Sequence, residues 1–266
     1  MTDIHPTALV DPKAELATDV VVGPYSIVGP RVTLGEGVKI HSHVVVDGKT
    51  SIGAKTEIYP FASIGQPPQD LKYRGEESQL IVGENNTIRE HVTMNSGTEG
   101  GGLITKVGNN CAFLAASHVG HDTIVGDYVV MSNNVMLAGH CHIGNHVIIG
   151  GGAGIHQFSR VGDHAFIGGM SGVENDVIPF GIVLGNRARL AGLNIIGLKR
   201  RGFDRERIQA LRGAYRVLFA DDGTLHDRVD AVASQFVDQT DVMQIVNFLR
   251  ADKSRSICTP RDAHEA

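Results

Sequence analysis

Seven of the thirteen histidines lie between positions 118 and 164, and their spacing is what gives them chemical interest. His121, Gly139 and Gln157 are evenly spaced, each three hexads beyond the one before. Gly120, Ala138 and His156 repeat that interval one position earlier, and Asp122, His140 and Phe158 one position later. A histidine titrates near neutral pH, so it can take a proton from a hydroxyl. A glycine leaves its backbone N–H open to a developing oxyanion. A carboxylate next to the histidine can orient the ring. No serine or cysteine shares the His121 column, so a covalent acyl-enzyme is not required. The set His121, Asp122, Gly139, His140, His156 and Gln157 therefore suits direct transfer of an acyl group to a bound acceptor. A lone outward histidine is usually ordinary surface, but an aligned His–Gly–Gln column is less ordinary.

These columns converge only if the chain returns to the same corner with every third hexad. The repeat says that it does. Every sixth residue from Ile4 to Ile64 is aliphatic, and every sixth from Val107 to Val173 is apolar. Four residues after each member of the second series stands a small or β-branched residue, from Cys111 through Cys141 to Val177. A period of six is neither the 3.6 of a helix nor the alternation of a flat strand. Short strands joined by tight turns satisfy it. Three of them make a coil, and coils stack about 4.8 Å apart through strand pairing. The aligned side chains then lie within two coil rises, roughly 10 Å. No coil is stable alone, so stability belongs to the stack. Composition agrees: aromatics are only 5%, there is no Trp, and Gly reaches 33 residues, as an aliphatic core with many turns requires. Cys111 and Cys141 fall on inward small positions, where packing explains them.

The repeat predicts a parallel β-helix over residues 1–185, interrupted twice. Residues 65–81 hold two prolines and many charges, and residues 99–106 precede a one-residue phase shift. Long loops on a rigid repeat often carry function. A helical domain follows over 186–251. Asp204 is suited to cap a helix reaching about Ala220, with Ile208, Leu211, Tyr215 and Leu218 on one face. Thr224 starts another helix, and a third covers roughly 241–251. Residues 252–266 read as a disordered tail. Between Arg187 and Arg216 nine basic residues face only Asp204 and Glu206, a local +7 in a chain of formal charge −5. That suits docking of an acidic or phosphorylated partner. The overall charge argues against nucleic acid. Three cysteines make no disulfide framework, the first residues lack a signal-peptide pattern, and no stretch approaches the roughly 18 apolar residues of a membrane span. Together these point to a cytoplasmic protein without a membrane segment.

The strings SHVGHDTIVGD (117–127), LAGHCHIGNHVIIGG (137–151), GIHQFSRVGDHAFIGGMSGV (154–173), GLNIIGLKRRGF (192–203) and QDLKYRGE (69–76) closely resemble the UDP-N-acetylglucosamine O-acyltransferase family. The resemblance covers nearly the whole chain. It implies a left-handed β-helix, a cytoplasmic homotrimer with sites between subunits, and the first step of lipid A biosynthesis. The implied reaction moves a 3-hydroxy fatty acyl group from acyl carrier protein to the sugar 3-position. The carrier's phosphopantetheine thioester is the co-substrate, and no separate cofactor or metal is implied. By match, His121 resembles the general base, Asp122 its orienter and the Gly139 N–H the oxyanion donor. His118, His140, His156 and Gln157 resemble substrate contacts, and Asp70 and Lys72 the loop residues reaching the UDP-sugar. Asn194, Arg200 and Arg201 resemble binders of the diphosphate or the phosphopantetheine. Gly169 matches a position that acts as an acyl-length ruler.

Three residues depart from the pattern: Ile196 stands where a Glu is expected, and His91 and Asn95 where Ser and His are expected. They leave open a 3-amino analogue of the sugar. Three further readings compete. A later N-acyltransferase of the pathway carries an extra domain before its β-helix, for which hexads beginning at Ile4 leave no room. A γ-type carbonic anhydrase would use three zinc histidines. A non-enzymatic scaffold would leave the His–Gly–Gln column unexplained.

Overall fold

The structure, a computed structural model, describes residues 2–252 and 254–260. Three sheets of eleven, nine and eight strands form the faces of a prism. Coil partners stand three hexads apart, as in Ala112↔Val130, His118↔Met136 and Ile124↔His142, one pair on each face. All these pairings are parallel. The coil is left-handed.

The apolar series fills the interior. From Val107 to Val173 every member is at most 3% exposed. The small residues between them, such as Ser117, Thr123 and Ala153, are buried too. They leave room for the large side chains of adjacent strands. At the first coil the series emerges at the prism end, where Ile4 is 43% exposed. Cys111 and Cys141 are buried free thiols, and burial pushes their pKa up to about 11 and about 12. They pack; they are not poised to react.

Most corners turn through one residue in the left-handed backbone region. Tyr128, Asn134 and His140, one per corner of a single coil, have φ of 58°, 59° and 61°. Asn, Asp and His tolerate this region better than most residues, and the column positions use them heavily. Because the corners repeat every coil, their side chains stack. Tyr128, His146, His164 and Phe180 form one ladder with ring centroids 4.7, 4.7 and 5.5 Å apart.

The two interruptions leave from the same corner, where the nine-stranded face passes into the eight-stranded one. Strand Gln79–Val82 pairs with Lys49–Ile52 on one side and Ile104–Val107 on the other, and both spacings exceed three hexads. The bounds expected from sequence, 65–81 and 99–106, are corrected at several ends. Ser63–Gln66, Gln79–Val82 and Ile104–Val107 are strands, so the excursions are residues 67–78 and 96–103. Edge residues such as Gln79 and Ile104 carry no hexad signal of their own.

The C-terminal part begins with strands, not helices. Gly181–Leu184 and Arg189–Leu193 form an antiparallel hairpin that ends the eleven-stranded sheet. Among the described residues four helices follow: α1 (Ile195–Arg200), α2 (Arg205–Leu218), α3 (Leu225–Gln235) and α4 (Thr240–Ala251). Asp204 caps α2 by accepting the Arg207 N–H at 2.8 Å, and Thr224 with Asp227 forms a capping box on α3. Ile208, Leu211, Ala214 and Leu218 give α2 its buried stripe.

The disordered tail expected at 252–266 is corrected for its described part. Ile257 bridges Asp176, the Cys258 N–H donates to Asp176 O, and Thr259 O accepts from Leu190. Arg255 reaches the buried Asp176 carboxylate at 2.9 Å, beside Arg160 at 2.6 Å. One carboxylate thus ties the last segment to the prism. Residues 253 and 261–266 lie outside the described set. Among the described residues no helix is long and apolar enough to cross a membrane.

Candidate active site

His121 and Asp122 are consecutive, yet their side chains meet. The reason is the left-handed turn at Asp122, φ 58°, which bends the carboxylate back toward the preceding ring. His121 Nδ1 lies 2.8 Å from Asp122 Oδ2. Asp122 also accepts hydrogen bonds from the Thr98 N–H at 2.8 Å and the Thr98 hydroxyl at 2.5 Å. Its side chain is fully buried, while that of His121 keeps 15% exposure. A carboxylate held by these donors remains an acceptor toward Nδ1. The imidazole then carries its proton on Nδ1 and leaves Nε2 as the basic atom.

Gly139 sits one coil away, under the imidazole. A Cβ at 139 would fall 2.6 Å from His121 Cε1 and 2.7 Å from Nε2. Glycine is therefore a steric requirement for the ring's position. Among the described residues the Gly139 carbonyl accepts from Phe158, while no hydrogen bond uses its N–H. Base and donor thus share one small space.

His140 stands edge-on to His121 at 4.9 Å between centroids and stacks on Phe158 at 4.5 Å. Burial lowers its pKa, with Asp122 opposing. Asp70 and Lys72, on the first excursion, act on the same ring with opposite signs, so that excursion reaches the histidine corner. His118 lies on the nine-stranded face beside the corner and bonds Thr93 Oγ1 at 2.7 Å. Burial and then His121 depress its pKa. His156 and Gln157 are exposed on the next coil.

The corner opens onto an apolar groove of about 470 Å³ on the nine-stranded face. His118 and His156 line it with Met136, Gly154, Gly172 and Val173. Met136, Gly154 and Gly172 are register partners, so side chains shrink along the axis. The hexad pattern conceals this stripe, because outward strand positions vary freely.

The remaining expected residues lie elsewhere in the chain. Gly169 is exposed on the corner between the eleven- and nine-stranded faces and does not line the groove. An added Cβ there meets nothing nearer than Gly151 O at 3.3 Å, whereas at Gly168 it would strike Leu184 at 2.3 Å. Asn194 is 5% exposed, and its side chain is engaged within the chain. Its Oδ1 accepts the Gly197 N–H at 3.1 Å and its Nδ2 donates to His164 O at 2.9 Å, so it caps α1. Arg201 donates to His146 O at 2.8 Å, while Arg200 is exposed. These three lie at the third corner, beside the ladder of His146 and His164. His91 stacks on Phe61 at the Gly169 corner, away from His121. Asn95 is buried and donates to the carbonyls of Gln66 and Pro67, fixing the root of the first excursion. Ile196 is 68% exposed on α1.

His121, Asp122 and His140 offer three potential ligand atoms within 4.8 Å of one another. The trio holds two imidazoles, not the three of the zinc-anhydrase reading, and its carboxylate already serves Thr98 and His121. The arrangement suits proton transfer.

Residues 176–258 match the model of the second domain of UDP-N-acetylglucosamine O-acyltransferase. A Caulobacter vibrioides protein named acyl-[acyl-carrier-protein]–UDP-N-acetylglucosamine O-acyltransferase is 53% identical, over 97% of this chain and 98% of its own. One of the same name from Rickettsia canadensis is 50% identical, over 97% of both chains. The solved UDP-N-acetylglucosamine O-acyltransferase of Moraxella catarrhalis superposes with a TM-score of 0.92 at 39% identity, covering 97% of this chain and 99% of that one.

Proposed function

The chain belongs to the UDP-N-acetylglucosamine O-acyltransferase family, and from that premise we propose how it works. It transfers a fatty acyl group from acyl carrier protein to the 3-hydroxyl of UDP-N-acetylglucosamine, the first step of lipid A biosynthesis. His121 Nε2 takes the proton of the 3-hydroxyl as that oxygen attacks the thioester carbonyl. The Gly139 N–H stabilises the oxyanion of the tetrahedral intermediate. Collapse breaks the carbon–sulfur bond, and the imidazolium returns its proton to the departing phosphopantetheine thiolate. Asp122 keeps Nδ1 protonated throughout. The single observation that carries this reading is the His121 ring lying against Gly139 with Nδ1 already committed to Asp122.

The acyl chain fits the groove beginning at His118, and the acyl group is 3-hydroxylated in the implied reaction. Asp70 and Lys72 meet the sugar nucleotide from the first excursion, with His140, His156 and Gln157 beside it. Arg200 and Arg201 serve the diphosphate or the phosphopantetheine. The same reading makes the protein a cytoplasmic homotrimer, an assembly in which residues at different corners of one prism would meet those of another copy. The relatives' names favour the N-acetylglucosamine substrate over the 3-amino analogue and over zinc hydration chemistry.

The test offers both UDP-sugars to the protein with a panel of acyl carrier thioesters and identifies products by mass spectrometry. An ester of UDP-N-acetylglucosamine is expected. An amide of the 3-amino sugar as the only product would overturn the substrate assignment, and no acyl transfer to either would overturn the reaction.

A further inference from the structure

The second excursion, residues 96–103, contacts Asp122 more closely than any other segment does. Thr98 supplies two of the carboxylate's hydrogen bonds, from its N–H and from its hydroxyl. A Cβ on Gly101 would stand 2.0 Å from Asp122 Cγ, and one on Gly97 would stand 2.8 Å from Oδ1. The excursion's backbone therefore lies flat on the carboxylate. A short helical turn, Glu99–Gly101, and the left-handed Gly102, φ 91°, fold the loop into that roof. From below, Thr105 Oγ1 accepts the Asp122 N–H at 2.8 Å. Thr98 is itself 5% exposed. The roof is anchored, since Ser96 Oγ bonds Ser78 Oγ at 2.8 Å and the Ser96 N–H donates to Gln66 O.

We propose that Thr98 is a positioning residue of acyl transfer: its hydroxyl holds the Asp122 carboxylate in the one orientation that aims His121 Nε2 at the acceptor. The proposal rests on His121 being the base. His140 Nδ1 lies 3.7 Å from the same Asp122 oxygen, so a second imidazole competes for that carboxylate. With the Thr98 hydroxyl present, Asp122 Oδ2 receives the His121 and Thr98 donors at 2.8 and 2.5 Å, and His140 stays outside hydrogen-bond range. Without it, the carboxylate is free to turn toward His140. Misplacement of a reacting group by about an ångström can cost on the order of a hundredfold in rate.

The experiment compares Thr98→Val, Thr98→Ser and His121→Ala with wild type. Valine keeps the shape and removes the hydroxyl. Thr98→Val is expected to lower kcat at least about tenfold while KM for the UDP-sugar stays within about twofold, and Thr98→Ser is expected to restore kcat. The acid limb of the pH profile of kcat/KM supplies a readout that simple loosening would not move. The groups around His121 are Asp122, His140 and His118, and His140 in turn faces Asp70 and Lys72 on the first excursion. With the carboxylate turned toward His140, the His121 imidazolium loses its anionic partner. Protonation of the base is then disfavoured, and the acid limb moves to lower pH. A folded Thr98→Val with wild-type kcat, an unmoved acid limb, or no rescue by serine overturns the proposal. Should Thr98→Val fail to fold, Gly101→Ala presses on the same carboxylate, and a folded Gly101→Ala with wild-type kcat overturns it equally. Inactive His121→Ala beside unchanged Thr98→Val sinks this inference alone. A wild-type protein without acyl transfer sinks the functional reading beneath it.

Discussion

A histidine is only as good a base as its neighbours allow. His121 has one nitrogen bound to a buried carboxylate and the other against a glycine, which makes its removal a clean experiment. His121→Ala is expected to lower kcat by about 10²- to 10⁴-fold, with thermal stability close to wild type because the side chain points out of the core. A variant keeping more than half its activity would end the assignment. The pairing of His121 with Gly139 is legible in the amino-acid sequence alone, since a three-hexad period converts sequence distance into spatial neighbourhood. The partnership of Asp122 with Thr98 is not. Those residues are 24 positions apart across an excursion whose length follows no period. Asn194 adds a role its place in a family string did not show: its side chain caps α1.

At the scale of elements, α1 and α2 carry the positive charge. Several of its members are already engaged. Arg207 forms a two-point ion pair with Asp241 at 2.7 and 2.8 Å and covers Phe203, and Arg201 is held by His146 O. Lys199, Arg200, Arg205, Arg212 and Arg216 remain exposed. Acyl carrier protein, as an acidic partner, would dock here. The double variant Arg205→Ala/Arg212→Ala is expected to raise KM for the carrier about fivefold and to leave kcat unchanged. Added salt should act likewise, because the screening length falls from about 10 Å at 0.1 M to about 3 Å at 1 M. A KM that stays flat across that range would remove the docking surface. The α2 and α3 helices are readable from their caps, whereas α4 has no side-chain cap and shows only its apolar face. The hairpin at Gly181–Leu193 and the short α1 are not readable, because a few residues carry no measurable period.

For the whole molecule, the distribution of candidate residues over three corners sets the expectation. Sedimentation equilibrium should give three times the 28.4 kDa of one chain. An active monomer would exclude a site shared between copies. The same geometry bears on Gly169, which lies on a corner of its own yet has space for a side chain. If a neighbouring copy brings that corner to the end of the acyl groove, Gly169→Met shortens the groove. The preferred acyl chain is then expected to be several carbons shorter, measured as kcat/KM over a series of carrier thioesters. An unchanged profile in a folded, active variant would put the groove's end elsewhere.

The two excursions carry a consequence for how such a molecule can change. Gln79 pairs back to Lys49 and forward to Ile104, two coils of unequal and unusual length, yet the coils that follow return to three hexads until the last, where Phe166 pairs with Ile182. The extra length of the two excursions is absorbed at a corner, and the inward residues of the coils that follow keep their places. A single residue inserted within a face would instead turn the interior of a coil outward. Corners are thus where insertions and deletions are tolerated, and the cost of a longer loop rises only slowly with its length. Both additions here stand at the histidine corner, one bringing Asp70 and Lys72 and the other Thr98. The prism behaves as a fixed chassis whose chemistry is revised by splicing at its edges, without repacking its core.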